Sequence, residues 1–282
     1  MASKYLVIGA TGHVGGQVVS QLVAAGEQVR AVARNPAAAR LPEGVQVVPG
    51  DLTAPDTLAA ALADIDAVYL TWPALSVEHA GPAIEVIAAH ARRIVLLSSA
   101  AVRDDLEEQD NPIGATHAAI ERPIVASGSE WTFLRPYGFA TNTLEWAAQI
   151  RAGDTVRGAY GAASMTLLHE ADIAAVAVRA LTTDDHLGAK YELSGPSAAT
   201  RIEQVATIGR ALGRTLSWAE ITPEQARREM TWLPTEYADF VLAGLAAMVD
   251  KPGPATTTVE RVTGSPARTY AQWAADHVAD FR

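Results

Sequence analysis

"YLVIGATGHVGGQVVSQL", residues 5–22, is the stretch on which the fold is read. An apolar run ends at Gly9, an amphipathic helical pattern follows Gly12, and glycines stand at positions 9, 12 and 15. A strand that enters a helix through so tight a turn needs residues without Cβ, so that the backbone can come close to a bound group. The helix start then offers unpaired amide N–H groups and the positive end of its dipole, which together seat a phosphate. Gly9 is read as making the turn, Gly12 as permitting close approach, and Gly15 as letting the helix pack on the strand. The expected pyrophosphate cradle is therefore Gly9, Thr11, Gly12, His13, Val14 and Gly15. Its G-x-x-G-x-x-G spacing departs from the commoner G-x-G-x-x-G, so the weight falls on context: strand before, helix after, and a second strand at the expected distance.

That second strand lies in "EQVRAVARNP", residues 27–36. An adenosine ribose with a free 2'-hydroxyl is usually held by Asp or Glu at this strand's end, whereas a 2'-phosphate needs a cation. The sequence has Arg34 there and no acid, which favours NADP(H) over NAD(H), with Arg30 or Arg40 as candidate helpers. Farther on, Asp51 and Leu52 in "VVPGDLTAPDTLAAAL" suit the edge and face of an adenine; a helix N-cap region using Thr53 and Asp56 is the equal alternative. Thr71, Trp72 and Pro73 in "YLTWP" close a fourth strand and are candidate walls of the cofactor cleft, plain packing being the other reading of the aromatic ring.

Around these motifs, β-branched runs alternate with Ala-rich helical stretches as far as "WTFLRP", residues 131–136. Continuous apolar strands separated by helices signal a parallel sheet covered on both faces. The expected fold is α/β, a Rossmann-type doubly wound parallel sheet over residues 1–136. After it comes a smaller, mostly helical substrate-binding portion, 137–282, intertwined with the core at a soft boundary. No internal repeat or low-complexity segment interrupts the chain.

Composition narrows the function. A formal charge of -10 with no basic run to offset it disfavours direct nucleic-acid or anionic-membrane binding. The absence of cysteine excludes disulfides, thiolate catalysis and cysteine-ligated metal sites. The first strand begins too near Met1 for a signal peptide, and no apolar run reaches the length of a membrane span, so a cytoplasmic protein is expected. The histidines fit no metal-binding pattern, "HEADI" at 169–173 included, and no serine sits in a G-x-S-x-G elbow.

Taken in order, "GATGHVGG", "AVARNP", "GDLT", "IVLLSS", "HAAIE", "WTFLRPYGF", "HEADIAAV", "YELSGP" and "VTGSPARTYAQWAADH" resemble the NmrA-like group of atypical short-chain dehydrogenases/reductases along nearly the whole chain. The resemblance implies a Rossmann-type fold, NADP(H) binding, and a cleft between sheet edge and C-terminal portion. Members are reductases of small unsaturated compounds or redox-sensing regulators that bind the cofactor without turnover. Related enzymes use Ser, Tyr and Lys for catalysis, with Tyr-x-x-x-Lys followed four residues later by Glu. Matching Glu121 to that Glu puts His117 at the Lys position and Ile113 at the Tyr position, and Ser99 matches the Ser. The phenolic acid/base is thus missing, which argues against routine alcohol dehydrogenation.

The candidate catalytic residues are His117, Ser99 and Tyr137, and the remaining cofactor contacts Ser98, His117 and Pro136. His117 could grip the nicotinamide ribose and, at an ordinary pKa near 6.5, donate a proton at neutral pH. Glu121, one helical turn on, could orient His117, though anchoring the helix is the more economical use. Tyr137 is a candidate replacement phenol, with simple packing or substrate stacking as the other reading, and Trp232, Tyr237, Phe240 and Met248 are candidates for an apolar pocket floor or, by their helical spacing, for ordinary core packing. The expected activity is NADPH-dependent reduction of a small apolar quinone, imine or activated double bond. The alternative is a non-catalytic NADP(H) sensor acting through a regulatory protein partner. A homodimer is also left open.

Overall fold

The structure, a computed structural model, describes residues 3–73 and 76–282. Met1 and Ala2, at the head of the expected 1–136 core, lie outside the described residues, as do Ala74 and Leu75. In chain order the elements are β1 (Lys4–Ile8), α1 (His13–Ala24), β2 (Gln28–Ala33), β3 (Gln46–Pro49), β4 (Ala67–Thr71), α2 (Ala80–His90), β5 (Arg93–Leu97), α3 (Pro112–Ala126) and β6 (Glu130–Pro136). Next come α4 (Ala147–Ala152), β7 (Thr155–Gly158), β8 (Ser164–Met165), α5 (Glu170–Thr182) and β9 (Ala189–Leu193). The chain finishes with β10 (Ala199–Thr200), α6 (Arg201–Leu212), β11 (Ser217–Glu220), α7 (Pro223–Glu229), α8 (Thr235–Asp250), α9 (Thr258–Thr263) and α10 (Tyr270–Asp276).

Two compact units result. The first holds residues Met1–Pro136 together with Glu170–Glu192 and Val262–Gly264; the second holds Tyr137–His169, Leu193–Arg261 and Ser265–Arg282. The first unit is built on a seven-stranded parallel sheet in the order β3-β2-β1-β4-β5-β6-β9. The order reverses between β1 and β4, the topological switch point at which doubly wound sheets bind ligands. Side chains alternate across the sheet: Leu6, Ile8, Val68, Leu70, Ile94, Leu96 and Phe133 share one buried cluster with α2 and α3 residues such as Ile84 and Ile120. The strands read as continuous apolar runs because the opposite face is covered too, by α1 and α5, whose residues Val18, Leu22, Ile173 and Ala177 are fully buried.

The return of α5 to this sheet has a visible tether. Arg93, the first residue of β5 and 2% exposed, donates from Nη1 to the carbonyls of Ala180, Leu181 and Thr183 at 3.3, 3.1 and 2.7 Å. The last carbonyls of a helix lack intrahelical donors, so a cation there satisfies them and complements the dipole. The same guanidinium bridges Glu130 at 2.9–3.0 Å and pairs with Asp184.

The second unit has its own core, in which Trp146, Ile150, Val156, Val205, Ile208, Trp273 and Phe281 cluster. β7 pairs in parallel with β11, and β8 pairs antiparallel with β10. Helix α6 starts with a complete capping box, Thr200 with Glu203, and stops at Gly213, whose φ of 69° is the left-handed region that glycine enters freely. No helix among the described residues is long and apolar enough to cross a membrane.

Replacing Arg93 with Met should cost about 3 kcal/mol, since it removes the cation that both acids and the α5 carbonyls were built around. The measurement is a denaturant melt, with a lower midpoint at unchanged slope expected and an unmoved midpoint contradicting the role.

Candidate nucleotide-binding site

The glycine loop divides its labour as the spacing suggested, and the structure supplies the reasons. Gly9 follows β1 at φ 90°, and a Cβ there would lie 2.9 Å from Cβ of Thr71, at the end of the neighbouring β4. A Cβ on Gly15 would lie 2.1 Å from the Gly9 carbonyl oxygen, so the first turn of α1 rests directly on the end of β1. Gly12 closes the turn by donating its N–H to Gly9 O at 3.0 Å, and a Cβ on it would meet only that same oxygen at 3.4 Å. Packing thus demands glycine at 9 and 15, while position 12 is left clear on its outward side. Helix α1 begins at His13 without any side-chain cap, so its first-turn amides keep their hydrogen-bonding capacity for something else. Thr11, Gly12 and His13 are exposed, and Val14 and Gly15 are buried.

One strand over, Arg34 follows β2, is exposed, and makes no hydrogen bond or ion pair among the described residues. Arg30 corrects an expectation: it is buried, with Nε bound to Gln46 at 2.8 Å and Nη1 to the carbonyls of Ala61 and Ala63 at 2.6 and 2.8 Å, so it cannot help with a phosphate. Arg40 is exposed. Asp51 accepts the Thr53 amide and hydroxyl at 2.9 Å each. These bonds hold its carboxyl below the usual carboxylate range, and the nearby charge of Arg34 adds to the effect. Thr53 is therefore held by Asp51 and caps no helix; the following 3₁₀ turn, Pro55–Leu58, has Ala54 at its N-cap with no side-chain bond. Leu52 and Trp72 both belong to the main hydrophobic cluster, and the Trp72 indole N–H goes to the Ser76 carbonyl at 3.0 Å. Packing is thus the use the Trp72 ring has in this fold, leaving Thr71 and exposed Pro73 at that strand end.

The strand ends stand level. Ile8 is in register with Val32 and Leu70, Thr71 with Leu97, and Leu97 with Leu134, so the residues after β2, β1, β4, β5 and β6 line one edge. Pro136 ends β6 and its carbonyl accepts the Ala100 N–H at 3.2 Å. Ser98 is buried and donates its hydroxyl to Glu121 at 2.6 Å. Ser99 accepts the Ala101 N–H at 3.1 Å, which leaves its own O–H uncommitted among the described residues.

Helix α3, which carries Ile113, His117 and Glu121, is set by a buried ionic knot. Arg135, next to the end of β6, grips Glu121 with Nε and Nη2 at 2.9 and 2.6 Å and Asp104 with Nη1 and Nη2 at 2.9 Å each. Lys190 adds a bond to Asp104 at 2.7 Å. The Arg135 guanidinium, with Lys190 behind it, lowers the Asp104 carboxyl to about 2. Glu121 is thus the helix anchor, and no hydrogen bond joins it to His117. Sequence reasoning missed Arg135 and Asp104; the signal available was a lone arginine inside "TFLRP", a charge that a buried strand carries only when paired.

His117 is left with a buried Nδ1 that has no hydrogen-bond partner. Burial, helped by the charge of Arg135 and only partly offset by Glu121, lowers its pKa to about 4. The imidazole is therefore uncharged at neutral pH, which corrects the expectation that it donates a proton there. Tyr137 falls in the second unit, 40% exposed, with its N–H on the Leu193 carbonyl at 2.9 Å. Among the described residues no cluster of three or more His, Asp or Glu side chains is placed to hold a metal ion.

Comparison with known proteins agrees with this geometry. The NAD(P)H-binding family profile matches residues 9–184. The chain is 37% identical over 280 residues to a (4-alkanoyl-5-oxo-2,5-dihydrofuran-3-yl)methyl phosphate reductase of Streptomyces griseus, covering 98% of each chain. It is 34% identical, again over 98% of both chains, to an NAD(P)H azoreductase of Xenophilus azovorans. Among solved structures, an NADPH-dependent quinone oxidoreductase from Escherichia coli superposes with a TM-score of 0.77 over 96% of this chain and 98% of that one, at 24% identity. The chain belongs to the NAD(P)H-binding family of atypical short-chain dehydrogenases/reductases.

Proposed function

We propose that this chain is an NADPH-dependent reductase of a small, largely apolar unsaturated compound: a quinone, an imine or an activated double bond. One observation carries the reading: where the family's alcohol chemistry needs a phenol and an ammonium, α3 presents Ile113 and an uncharged His117 with an unpartnered Nδ1.

The residues fit the cofactor. The uncapped start of α1 and the clear side of Gly12 take a pyrophosphate, with the Thr11, His13 and Val14 backbone around it. Arg34, exposed and unpaired, takes the 2'-phosphate, and Asp51 meets the adenine edge, Leu52 being packed in the core cluster with Trp72. Thr71, Ser98, Ser99 and Pro136 continue the same edge toward the nicotinamide, where a rotation of the His117 ring would bring its unpartnered Nδ1 to a ribose hydroxyl. The hydroxyl's hydrogen bond removes the cost of a buried nitrogen without a partner. NADPH supplies the hydride when bound. The chain's own part is to orient the acceptor, exclude water and provide a proton from the Ser99 hydroxyl or from solvent.

The names of the similar proteins support the acceptor class. A dihydrofuranone phosphate, an azo compound and a quinone are all unsaturated acceptors. Such acceptors hold incoming negative charge on electronegative atoms, so they have less need of a dedicated phenolic acid.

NADPH oxidation followed at 340 nm over a panel of quinones, imines, azo dyes and enals should give at least one acceptor with turnover on the order of 1 per second. Tight NADPH binding with no turnover on any acceptor would overturn the reductase reading. A second expectation concerns pH. The folded His117 pKa of about 4 lies below the unfolded 6.5. Its neutral form therefore stabilises the fold above about pH 6.5, and that contribution is lost as pH falls toward 4, because the unfolded imidazole takes up its proton first. The thermal midpoint should drop more between pH 7 and pH 5 in the wild type than in His117→Gln; equal drops would contradict the neutral, desolvated imidazole.

A further inference from the structure

In the second unit, two adjoining cavities of about 220 Å³ each share Glu145, Trp146, Arg201, Met230, Trp232 and Leu245 among their walls. Arg201, the first residue of α6, is the cation common to both, and its place is built with care. Its N–H donates to the Ala163 carbonyl at 3.1 Å, and the next residue's to the Gly161 carbonyl at 3.1 Å. Its guanidinium lies over the faces of Trp146 and Trp218, 5.1 and 5.3 Å from the ring centroids. Trp218 is fixed in turn by its indole N–H on Glu220 at 2.7 Å, an acid that also takes the Gly161 N–H at 3.0 Å. Cβ atoms on Gly158 and Gly161 would lie 2.4 and 2.5 Å from the Trp218 ring, so both positions are kept bare for it.

The three guanidinium nitrogens have different fates. Nη2 donates to Glu145 at 3.2 Å, a single bond to a carboxylate 41% exposed. Nε is sealed from solvent with no acceptor. Nη1 has no partner either and is not sealed, so it is the donor that the side chain, 13% exposed, keeps open. Burial holds this arginine's pKa below its ordinary value, with Glu145 and Glu220 pulling the other way. A cation this dry, stacked on two indoles and met by one weak ion pair, gains strongly from a second anion. Of the other polar side chains in the walls, Thr143 bonds Ala140, Gln204 bonds Ala199, Gln149 bonds the Arg157 backbone, and Arg157 pairs with Glu229 at 3.5 Å, which leaves Asn142 as a further hydrogen-bonding group. Trp232, Met230, Val241 and Leu245 make the apolar part of the walls, and Trp232 is 69% exposed.

We propose that this hollow binds small amphipathic acids, the carboxylate, sulfonate or phosphate on Arg201 Nη1 and the apolar body against Trp232 and Met230. The inference stands on the second unit alone and holds whether or not the chain turns over an acceptor. The test uses the full chain and three isosteric probes, 2-naphthoate, naphthalene-2-sulfonate and the neutral 2-naphthamide, with binding read by tryptophan fluorescence and calorimetry. Both acids are expected to bind at least tenfold more tightly than the amide. Arg201→Gln should erase that difference, Arg201→Lys should retain part of it, and Trp232→Ala should weaken all three probes alike. Equal binding of acid and amide by the wild type, which needs no variant and no assumption about folding, would overturn the proposal. So would a preference for acids that survives in a folded Arg201→Gln protein, or binding of none of the three.

Discussion

The contact on which the rest of the first unit depends is between the Gly9 carbonyl and the bare α-carbon of Gly15. With only 2.1 Å available where a Cβ would stand, helix α1 can rest on the end of β1 only if residue 15 is glycine. That approach delivers an uncapped helix start to the carboxyl edge of the sheet, at the point where strand order reverses. Gly9 in turn leans on Thr71 across the switch point, so the phosphate loop and the end of β4 are one packed unit. The level register of the strands then sets Arg34, Thr71, Ser99 and Pro136 along a single edge.

A second constraint, the ionic knot of Arg135, Glu121, Asp104 and Lys190, fixes helix α3. Within it the Arg135–Glu121 pair is buried, and breaking that pair leaves an uncompensated charge, so α3 is held to β6. The positive guanidinium close by is also a reason for His117 to stay neutral. Glu121, bonded to Arg135 and Ser98, therefore serves structure.

Much of this was legible in the sequence because a parallel sheet writes itself as apolar runs, and a glycine turn between strand and helix has few physical uses. The six strands from "KYLVIG" to "WTFLRP" stand where the pattern put them. What periodicity could not convey was partnership over long separations. Arg30 looked like a phosphate helper until its guanidinium was found on the Ala61 and Ala63 carbonyls, and Trp72 looked like a cleft wall although its ring completes the core. Arg93, Arg135 and Arg201 went unremarked in the sequence, yet each side chain is largely buried on acceptors or rings drawn from distant segments. Helix α5 and β9, which follow the second unit's first segment, belong to the first unit because Arg93 and the sheet edge hold them there. A charge inside an apolar run marks such a tether but does not name its partner.

We propose that the glycine loop and Arg34 seat a 2'-phosphorylated dinucleotide. Dissociation constants for NADPH and NADH, measured by calorimetry on the wild type and on Arg34→Glu, test it most directly. The wild type should bind NADPH at least tenfold more tightly than NADH, a difference of about 1.4 kcal/mol, and the acid should abolish or invert that ratio. Equal affinities in the wild type, or a ratio unmoved by Arg34→Glu, would contradict it.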